Sequence, residues 1–333
     1  MRRLVAAELR GLVDEVTTDA MGNLIGVKRG SGGPRVMLAA HMDEIGFVVK
    51  HIDERGFLRI HPLGGWDPRT MMAQRVYVHG SQGSTLLGAL MPVAKPIHML
   101  SPEDAARSPK IDEFFVDLGM PCDEVKQQIE IGDPVTMART AELVGKNVLS
   151  KTLDARVAVY VMIAALRLLG EHQCDILAVA TCQEEVGLRG ATTSAYDLKP
   201  DVGIAIDVTL ANDYPGGEEQ NRVTELGKGA AIKIMDSSLL CNPKLVRHFR
   251  DVAERHEIPH QLEILQRGGT DAGAIQRSRS GVPSFTLSIP CRYVHSVNEM
   301  AAVSDIDAAA TLLARYLEDA HTRSYGYEEA LSD

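Results

Sequence analysis

Histidine and carboxylate side chains follow successive apolar runs of this sequence, at the points where the runs end. In open α/β sheets, ligands bind beyond the carboxyl ends of the strands, so side chains placed in this way converge on one edge of a sheet. We therefore expect the polar residues that follow these runs to form a single site. The runs and the residues that follow them are 35–40 with His41, 176–181 with Glu184 and Glu185, 202–206 with Asp207, and 283–289 with His295.

This set of side chains, which combines two imidazoles with several carboxylates, predicts a metal centre. Nitrogen and oxygen donors suit zinc, cobalt or manganese better than metals that prefer thiolates or sites made only of oxygen. The donors exceed the number that one tetrahedral ion needs. Two neighbouring divalent ions serve hydrolysis, because they clamp the attacking and the substrate oxygen and can share a bridging carboxylate. Asp154, which precedes an apolar helical stretch, could supply that bridge.

Composition and charge argue against several other classes of protein. The chain of 333 residues has a formal net charge of -10 and no cluster of Lys and Arg, which argues against a nucleic-acid partner. Its five cysteines are scattered without a Cys-x-x-Cys pair, which favours a reducing compartment. Glu8 interrupts the apolar start of the chain, and the longest apolar run, 157–166, is far shorter than the roughly 20 residues of a membrane span. We therefore expect a cytoplasmic protein that does not insert into a membrane.

The elements that must position these residues alternate between strand-like and helix-like segments. That alternation is typical of an α/β sheet covered by helices, and it occurs before about residue 61 and again after about residue 150. Between these regions, short apolar pieces are separated by Gly, Pro and Ser clusters, as in a small β-rich module. The sequence thus predicts a catalytic domain made of residues 1–61 and 150–333, with residues 62–149 inserted as a β-rich domain.

Five short segments, in this order along the chain, resemble the motifs of one family of enzymes. The family comprises the dinuclear metallo-aminopeptidases that include glutamyl aminopeptidase and the tetrahedral (TET) aminopeptidases, some of which carry FrvX-like or endoglucanase-like labels. A single match of this kind is weak, but five in register over nearly the whole chain are specific. The segments are 39–47 around His41, 151–157 around Asp154, 183–191 around Glu184, 268–274 around Asp271 and 292–296 around His295.

The resemblance implies a fold, an activity and a role for each residue. The fold is a three-layer α/β catalytic domain of the phosphorylase/hydrolase-like zinc-peptidase type with an inserted, small β-barrel-like domain. The activity is the removal of N-terminal residues from short peptides by a water that two metal ions activate, with a glutamate as general base. The implied roles are His41 and Asp207 on one ion, Glu185 and His295 on the other, Asp154 between them, Glu184 as the base, and Asp271 at the substrate pocket.

Two further points concern residues next to the ligands. Glu184 and Glu185 can divide their roles, because one carboxylate can bind metal while the other faces the water and takes its proton. Asp43 lies two residues after His41 and could accept the second imidazole N–H, which would fix the tautomer.

The inserted domain also resembles its counterpart in this family, at 95–100 around His98 and at 112–119 around Asp117. The family uses that domain for assembly. The resemblance therefore implies a homo-oligomer in which dimers associate into a tetrahedral dodecamer.

Other functions remain open on the sequence. A related two-metal amidohydrolase, such as a deacylase or a carboxypeptidase, would use the same ligands, because the metal set does not specify which end of the substrate is held. A glucanase would also need paired carboxylates, but the chain offers a single Trp on which sugars could stack. A structural protein with a degenerate site would not need all of these residues. The preferred N-terminal residue stays undetermined, because every specificity shares the ligands.

Overall fold

The structure is a computed structural model that describes residues 1–93, 97–99, 101–102 and 107–327. Its strands form an 11-stranded sheet and a separate closed barrel. The strands of the large sheet are β1 (Glu15–Thr18), β2 (Leu24–Lys28), β3 (Arg35–His41), β10 (Glu142–Val144), β11 (Asn147–Ser150), β12 (Asp175–Thr181), β13 (Val202–Leu210), β14 (Ala230–Met235), β15 (His260–Ile264), β16 (Ser284–Arg292) and β17 (Glu299–Ala302). The strands of the barrel are β4 (Gly46–Ile52), β5 (Leu58–Leu63), β6 (Gln74–His79), β7 (Thr85–Pro92), β8 (Phe114–Asp117) and β9 (Pro134–Met137).

Helices pack on both faces of the large sheet. The α-helices are α1 (Arg2–Leu9), α2 (Cys122–Gln128), α3 (Leu153–Leu168), α4 (Arg189–Leu198), α5 (Pro243–Arg255), α6 (Asp271–Gln276) and α7 (Val303–Asp319). Short 3-10 turns occur at Pro68–Thr70, Ile97–Met99, Ile111–Glu113, Glu219–Asn221 and Ala320–Thr322. Helices α1, α3, α5 and α7 share one apolar core with the sheet, while α4 and α6 share a second core on its opposite face. The structure therefore confirms the predicted three-layer α/β fold.

The centre of the large sheet is parallel. β3 pairs in parallel with β12 and with β13, and β13 pairs in parallel with β16. These four strands are buried along nearly their whole length, as expected for strands with helices on both faces. Their carboxyl ends consequently lie side by side at one edge of the sheet.

The barrel overlaps the predicted insertion but begins and ends earlier in the chain. β4 and β5 lie in the barrel, and β4 closes it by pairing with β9, whereas the prediction placed both strands mainly before the boundary at residue 61. β10 and β11 belong to the large sheet, where β11 pairs with β17, although the prediction put them inside residues 62–149. The barrel strands thus run from β4 to β9, which corrects both boundaries. The error arose because the pattern of apolar residues indicates a strand but not the sheet that the strand joins.

Two observations bear on other predictions from the sequence. Residues 95, 96 and 100 of the segment 95–100 lie outside the described residues, while His98 is exposed in a 3-10 turn and Asp117 ends β8. None of the helices in the described part of the chain combines the length and the apolar character that crossing a bilayer would require.

Phe249 on α5 joins two helices to the sheet. Its ring stacks on Phe285 of β16, with centroids 4.2 Å apart, and on Tyr316 of α7, with centroids 4.1 Å apart. All three side chains are fully buried. These three aromatic rings therefore form one continuous stack.

We expect Phe249→Ala to lower the free energy of unfolding by about 3 to 5 kcal/mol, because the substitution leaves a cavity in this stack. Urea denaturation followed by circular dichroism measures the change. Arg250→Ala, on the solvent side of the same helix, is the matched control and should change stability by at most about 0.5 kcal/mol. Equal effects of the two substitutions would contradict the role of the stack.

Candidate metal centre

The residues predicted to bind metal meet at the carboxyl edge of the parallel strands. His41 is the last residue of β3, and Glu185 follows the end of β12. His295 follows β16, while Asp154 is the second residue of α3. Asp207 was predicted to follow its strand but lies inside β13, because that strand continues to Leu210. The edge of the sheet thus receives side chains from four strands and one helix.

Three of these residues form a first group around His41. Its Nε2 atom lies 3.1 Å from Oδ1 of Asp154 and 3.8 Å from Oδ1 of Asp207. One candidate ligand atom from each residue lies within 4.8 Å of the others. All three side chains are buried, so little water competes for their donor atoms.

A second group forms around His295 on the other side of Asp154. The Nε2 atom of His295 lies 3.3 Å from Oδ2 of Asp154 and 3.4 Å from Oε2 of Glu185. Asp154 therefore presents one oxygen to each histidine and belongs to both groups. The structure thus brings together all five residues that were predicted to be ligands.

Glu184 lies beside the first group but is not part of it. Its Oε2 atom is 3.9 Å from Nε2 of His41, and the side chain is buried. Burial raises the pKa of Glu184 well above its usual value, His41 opposes this change, and the carboxylate of Asp207 adds to it. Burial among other carboxylates therefore favours the protonated form of this side chain.

The donor set fits divalent cations, because its carboxylates outnumber the positive charges near them. Burial would lower the pKa of His295, but Asp154 and Glu185 raise it to about 11. The imidazole of His295 is therefore protonated, and its positive charge offsets part of the negative charge of Asp154 and Glu185. Oε1 of Glu185 is buried and has no hydrogen-bond partner among the described residues. Two cations would supply the missing charge and the missing partner.

The contacts of Asp43 differ from those predicted. The nearest acceptor to Nδ1 of His41 is the backbone oxygen of Asp43, at 3.2 Å, while its carboxylate is 3.7 Å away. That carboxylate instead accepts the backbone N–H groups of Glu184 and Glu185, each at 3.2 Å. Asp43 therefore holds the imidazole through its main chain and the Glu184–Glu185 turn through its side chain.

Glu299 is a positioning residue that the sequence did not reveal. Its Oε1 atom accepts the backbone N–H of His295 at 3.0 Å, and its Oε2 atom accepts that of Asp154 at 3.1 Å. Only 2% of the residue is exposed. Glu299 lies within β17, where a single acidic residue gives no pattern that distinguishes it from a surface glutamate.

Glu44 holds the chain that leads into Asp154. Its carboxylate is paired with the side chains of Lys151 and Arg156 and accepts the hydroxyl of Thr152 at 3.0 Å. Burial would raise the pKa of Glu44, but the two cations lower it. The contacts tie the segment on either side of Asp154 to the end of β3. This residue stood within the motif 39–47, yet only its tertiary partners reveal its role.

Asp271 is close to the site but does not line the cavity there. Its carboxylate accepts the hydroxyl of Thr181 at 2.5 Å, and burial raises its pKa to about 6. The cavity has a volume of about 530 Å³ and is bordered instead by Gly268, Gly269 and Thr270. The segment 268–274 therefore reaches the pocket through the residues before Asp271, which corrects the predicted contact.

The barrel completes one wall of this cavity. A Cβ atom on Gly65 would lie 3.3 Å from Nδ1 of His295, and one on Gly64 would lie 3.3 Å from Oε2 of Glu185. Gly64 also has a φ of 78°, which residues with a Cβ rarely adopt. Glycines at these positions let the loop after β5 approach two candidate ligands without a tight contact from a Cβ atom.

An α/β sheet with histidines and carboxylates converging at the ends of its parallel strands is typical of metal-dependent hydrolases. Comparison with known families makes the class specific. The protein belongs to the M42 glutamyl aminopeptidase family, whose model matches residues 22–312. It is therefore a hydrolase of peptide bonds, and enzymes of this family depend on metal.

Individual relatives agree with this assignment. The lysyl aminopeptidase of Pyrococcus furiosus is 39% identical, over 96% of this chain and 91% of its own. Aminopeptidase APDkam598 of Desulfurococcus kamchatkensis has a similar structure, with a TM-score of 0.91 at 40% identity over 96% of this chain and 89% of that one. The TET1 peptidase of Pyrococcus horikoshii matches with a TM-score of 0.83 at 29% identity, over 95% of this chain and 92% of that one. The resemblance and the aminopeptidase activity predicted from the sequence are confirmed.

We expect Glu299→Gln to weaken metal binding about 10- to 100-fold, a loss typical of residues that orient ligands. A glutamine has only one oxygen, so it cannot accept both the Asp154 and the His295 backbone N–H. Equilibrium dialysis against buffered zinc, followed by elemental analysis, measures the affinity. Asp307→Asn, which also removes an acidic charge but lies exposed on α7, should bind metal as the unaltered protein does. Unchanged affinity in Glu299→Gln would refute the positioning role.

Proposed function

We propose that the protein is a dinuclear aminopeptidase that removes N-terminal residues from short peptides. One ion would be held by His41 and Asp207, the other by Glu185 and His295, with Asp154 between them. The observation that carries this proposal is the position of Asp154, whose two oxygens lie 3.1 Å and 3.3 Å from the two histidines. A carboxylate shared in this way suits a pair of ions rather than a single one.

Divalent ions bound there would polarise the peptide carbonyl and make a water molecule more acidic. Glu184 would act as general base and take the proton of that water, since its carboxylate lies beside the first group without belonging to either one. Asp43 would keep that carboxylate in place, because it binds the backbone N–H groups of Glu184 and Glu185. After attack on the carbonyl, Glu184 can return the proton to the leaving amine.

Membership of the M42 glutamyl aminopeptidase family favours an aminopeptidase over a carboxypeptidase or a deacylase. The cavity is bordered by Asp154, Glu184, Glu185 and Asp207. Two divalent ions would balance the four negative charges of these side chains, so the charge of the site does not by itself select one end of a peptide.

The metal, the assembly and the location of the protein are parts of the same proposal. Zinc or cobalt suits the mixed nitrogen and oxygen donors best, and manganese is also compatible with them. The barrel would join dimers into a tetrahedral dodecamer, since a structurally similar TET1 peptidase can assemble into a tetrahedron or a large octahedral shell. We place the enzyme in the cytoplasm, in keeping with five cysteines that are all free.

We expect Glu184→Gln to keep both metal ions and to lower kcat about 100- to 10,000-fold, as loss of a general base does. The amide has nearly the same shape but cannot take a proton from water. Metal analysis and aminoacyl-nitroanilide assays on the same preparation measure both effects. Glu171→Gln, at an exposed position away from the site, is the control. Turnover that stays close to normal in Glu184→Gln would reject this role.

We expect a chelator to abolish turnover, and zinc, cobalt or manganese to restore it. The restored enzyme should hydrolyse aminoacyl-nitroanilides but not the same compounds with an acetylated amine, because an aminopeptidase acts on substrates with a free N-terminal amine. A continuous absorbance assay with matched pairs of substrates measures the difference. Equal rates on free and blocked substrates would indicate a deacylase or endopeptidase and exclude the proposed function.

A further inference from the structure

The wall of the cavity that faces the metal residues is largely apolar. Val208, Leu210, Leu265 and Val294 contribute to it. Val208 directly follows Asp207, and Val294 directly precedes His295, so this wall begins next to the candidate ligands. A side chain attached to a residue at the ions would therefore meet aliphatic groups.

The hydroxyl groups of two threonines on the same wall are hydrogen-bonded to other buried side chains. Thr209 donates to Oε1 of Glu263 at 2.6 Å, and Thr270 is hydrogen-bonded to Thr286 at 2.9 Å. Each threonine is only 2% exposed. Because these hydroxyl groups already have partners in the interior, they add little polar character to the cavity.

A buried lysine and two buried carboxylates lie behind this wall. Nζ of Lys233 lies 2.6 Å from Oε1 of Glu263 and 3.5 Å from Oδ2 of Asp236, and the lysine is completely buried. Burial would lower the pKa of Lys233, but the two carboxylates raise it, so the side chain keeps its positive charge. Neither Lys233 nor Glu263 borders the cavity. The Lys233–Glu263 ion pair therefore holds Thr209 in place, and Asp236 does not border the cavity either.

We propose that this wall is the subsite for the side chain of the first substrate residue and that it selects uncharged aliphatic residues of the leucine and methionine class. The inference rests on the proposed aminopeptidase function. It differs from the acidic or basic preference that the names glutamyl and lysyl aminopeptidase would suggest. Arg267 also borders the cavity but is exposed, so water and salt screen its charge.

The test compares kcat/KM for leucyl-, methionyl-, glutamyl- and lysyl-nitroanilide with the metal-loaded, full-length protein. Burial of an aliphatic side chain should favour the first two substrates by roughly 10- to 100-fold. Arg267→Gln should leave this order unchanged. A preference for the glutamyl substrate that Arg267→Gln removes would overturn the inference, and so would a preference for the lysyl substrate.

Leu265→Glu tests the wall directly, since it places a carboxylate in the subsite. We expect the ratio of lysyl to leucyl kcat/KM to rise at least about tenfold, with unchanged metal content. Leu262→Glu is the matched control, because Leu262 lies on β15, is 46% exposed and does not border the cavity. Equal lysyl-to-leucyl ratios in the two variants would contradict the assignment of this wall as the subsite.

The outcomes separate this inference from the proposal on which it depends. Faster hydrolysis of charged substrates than of aliphatic ones would be consistent with the aminopeptidase function and would contradict only the subsite assignment. Failure to hydrolyse any of the four nitroanilides would overturn both.

Discussion

The crowding of carboxylates around Asp154 is the constraint on which the rest of the structure depends. Asp154 lies between two histidines, within reach of further acidic groups, and such a cluster is stable only when positive charge is supplied. The surrounding contacts hold this arrangement in place. Glu299 binds the backbone of both Asp154 and His295, while Glu44 anchors residues on either side of Asp154. The contacts of Glu299 and Glu44 therefore fix the segments around Asp154 and His295 despite the repulsion between the carboxylates.

The barrel and the catalytic sheet are joined at this same site. β4 follows β3 after only a few residues, and the loop after β5 returns to place Gly64 and Gly65 against candidate ligands. A change in the position of the barrel would move that wall of the cavity. Because the barrel is also the proposed assembly domain, contacts between subunits would bear on the same wall of the cavity.

Buried charge around the cavity is arranged in two different ways. At the metal centre, carboxylates are left without enough neighbouring cations, which creates affinity for divalent ions. Behind the aliphatic wall, Lys233 is ion-paired with Glu263 and lies near Asp236, and none of these three side chains borders the cavity. The difference lies in whether a lysine is within ion-pairing distance, since an unpaired buried charge is costly and a paired one is tolerated.

The sequence by itself determined the fold class and the set of residues able to hold metal, because strand patterns and side-chain chemistry are local properties. His41 and His295 could be found in this way, and the structure brings them to one edge of the sheet. Only the tertiary structure decided which sheet β4 and β5 join, that Asp43 meets His41 through its backbone oxygen, and that Asp271 stays behind the cavity wall. It alone revealed Glu299, whose contact with Asp154 spans 145 residues. Such contacts depend on how distant segments pack, and no local pattern of residues records that packing.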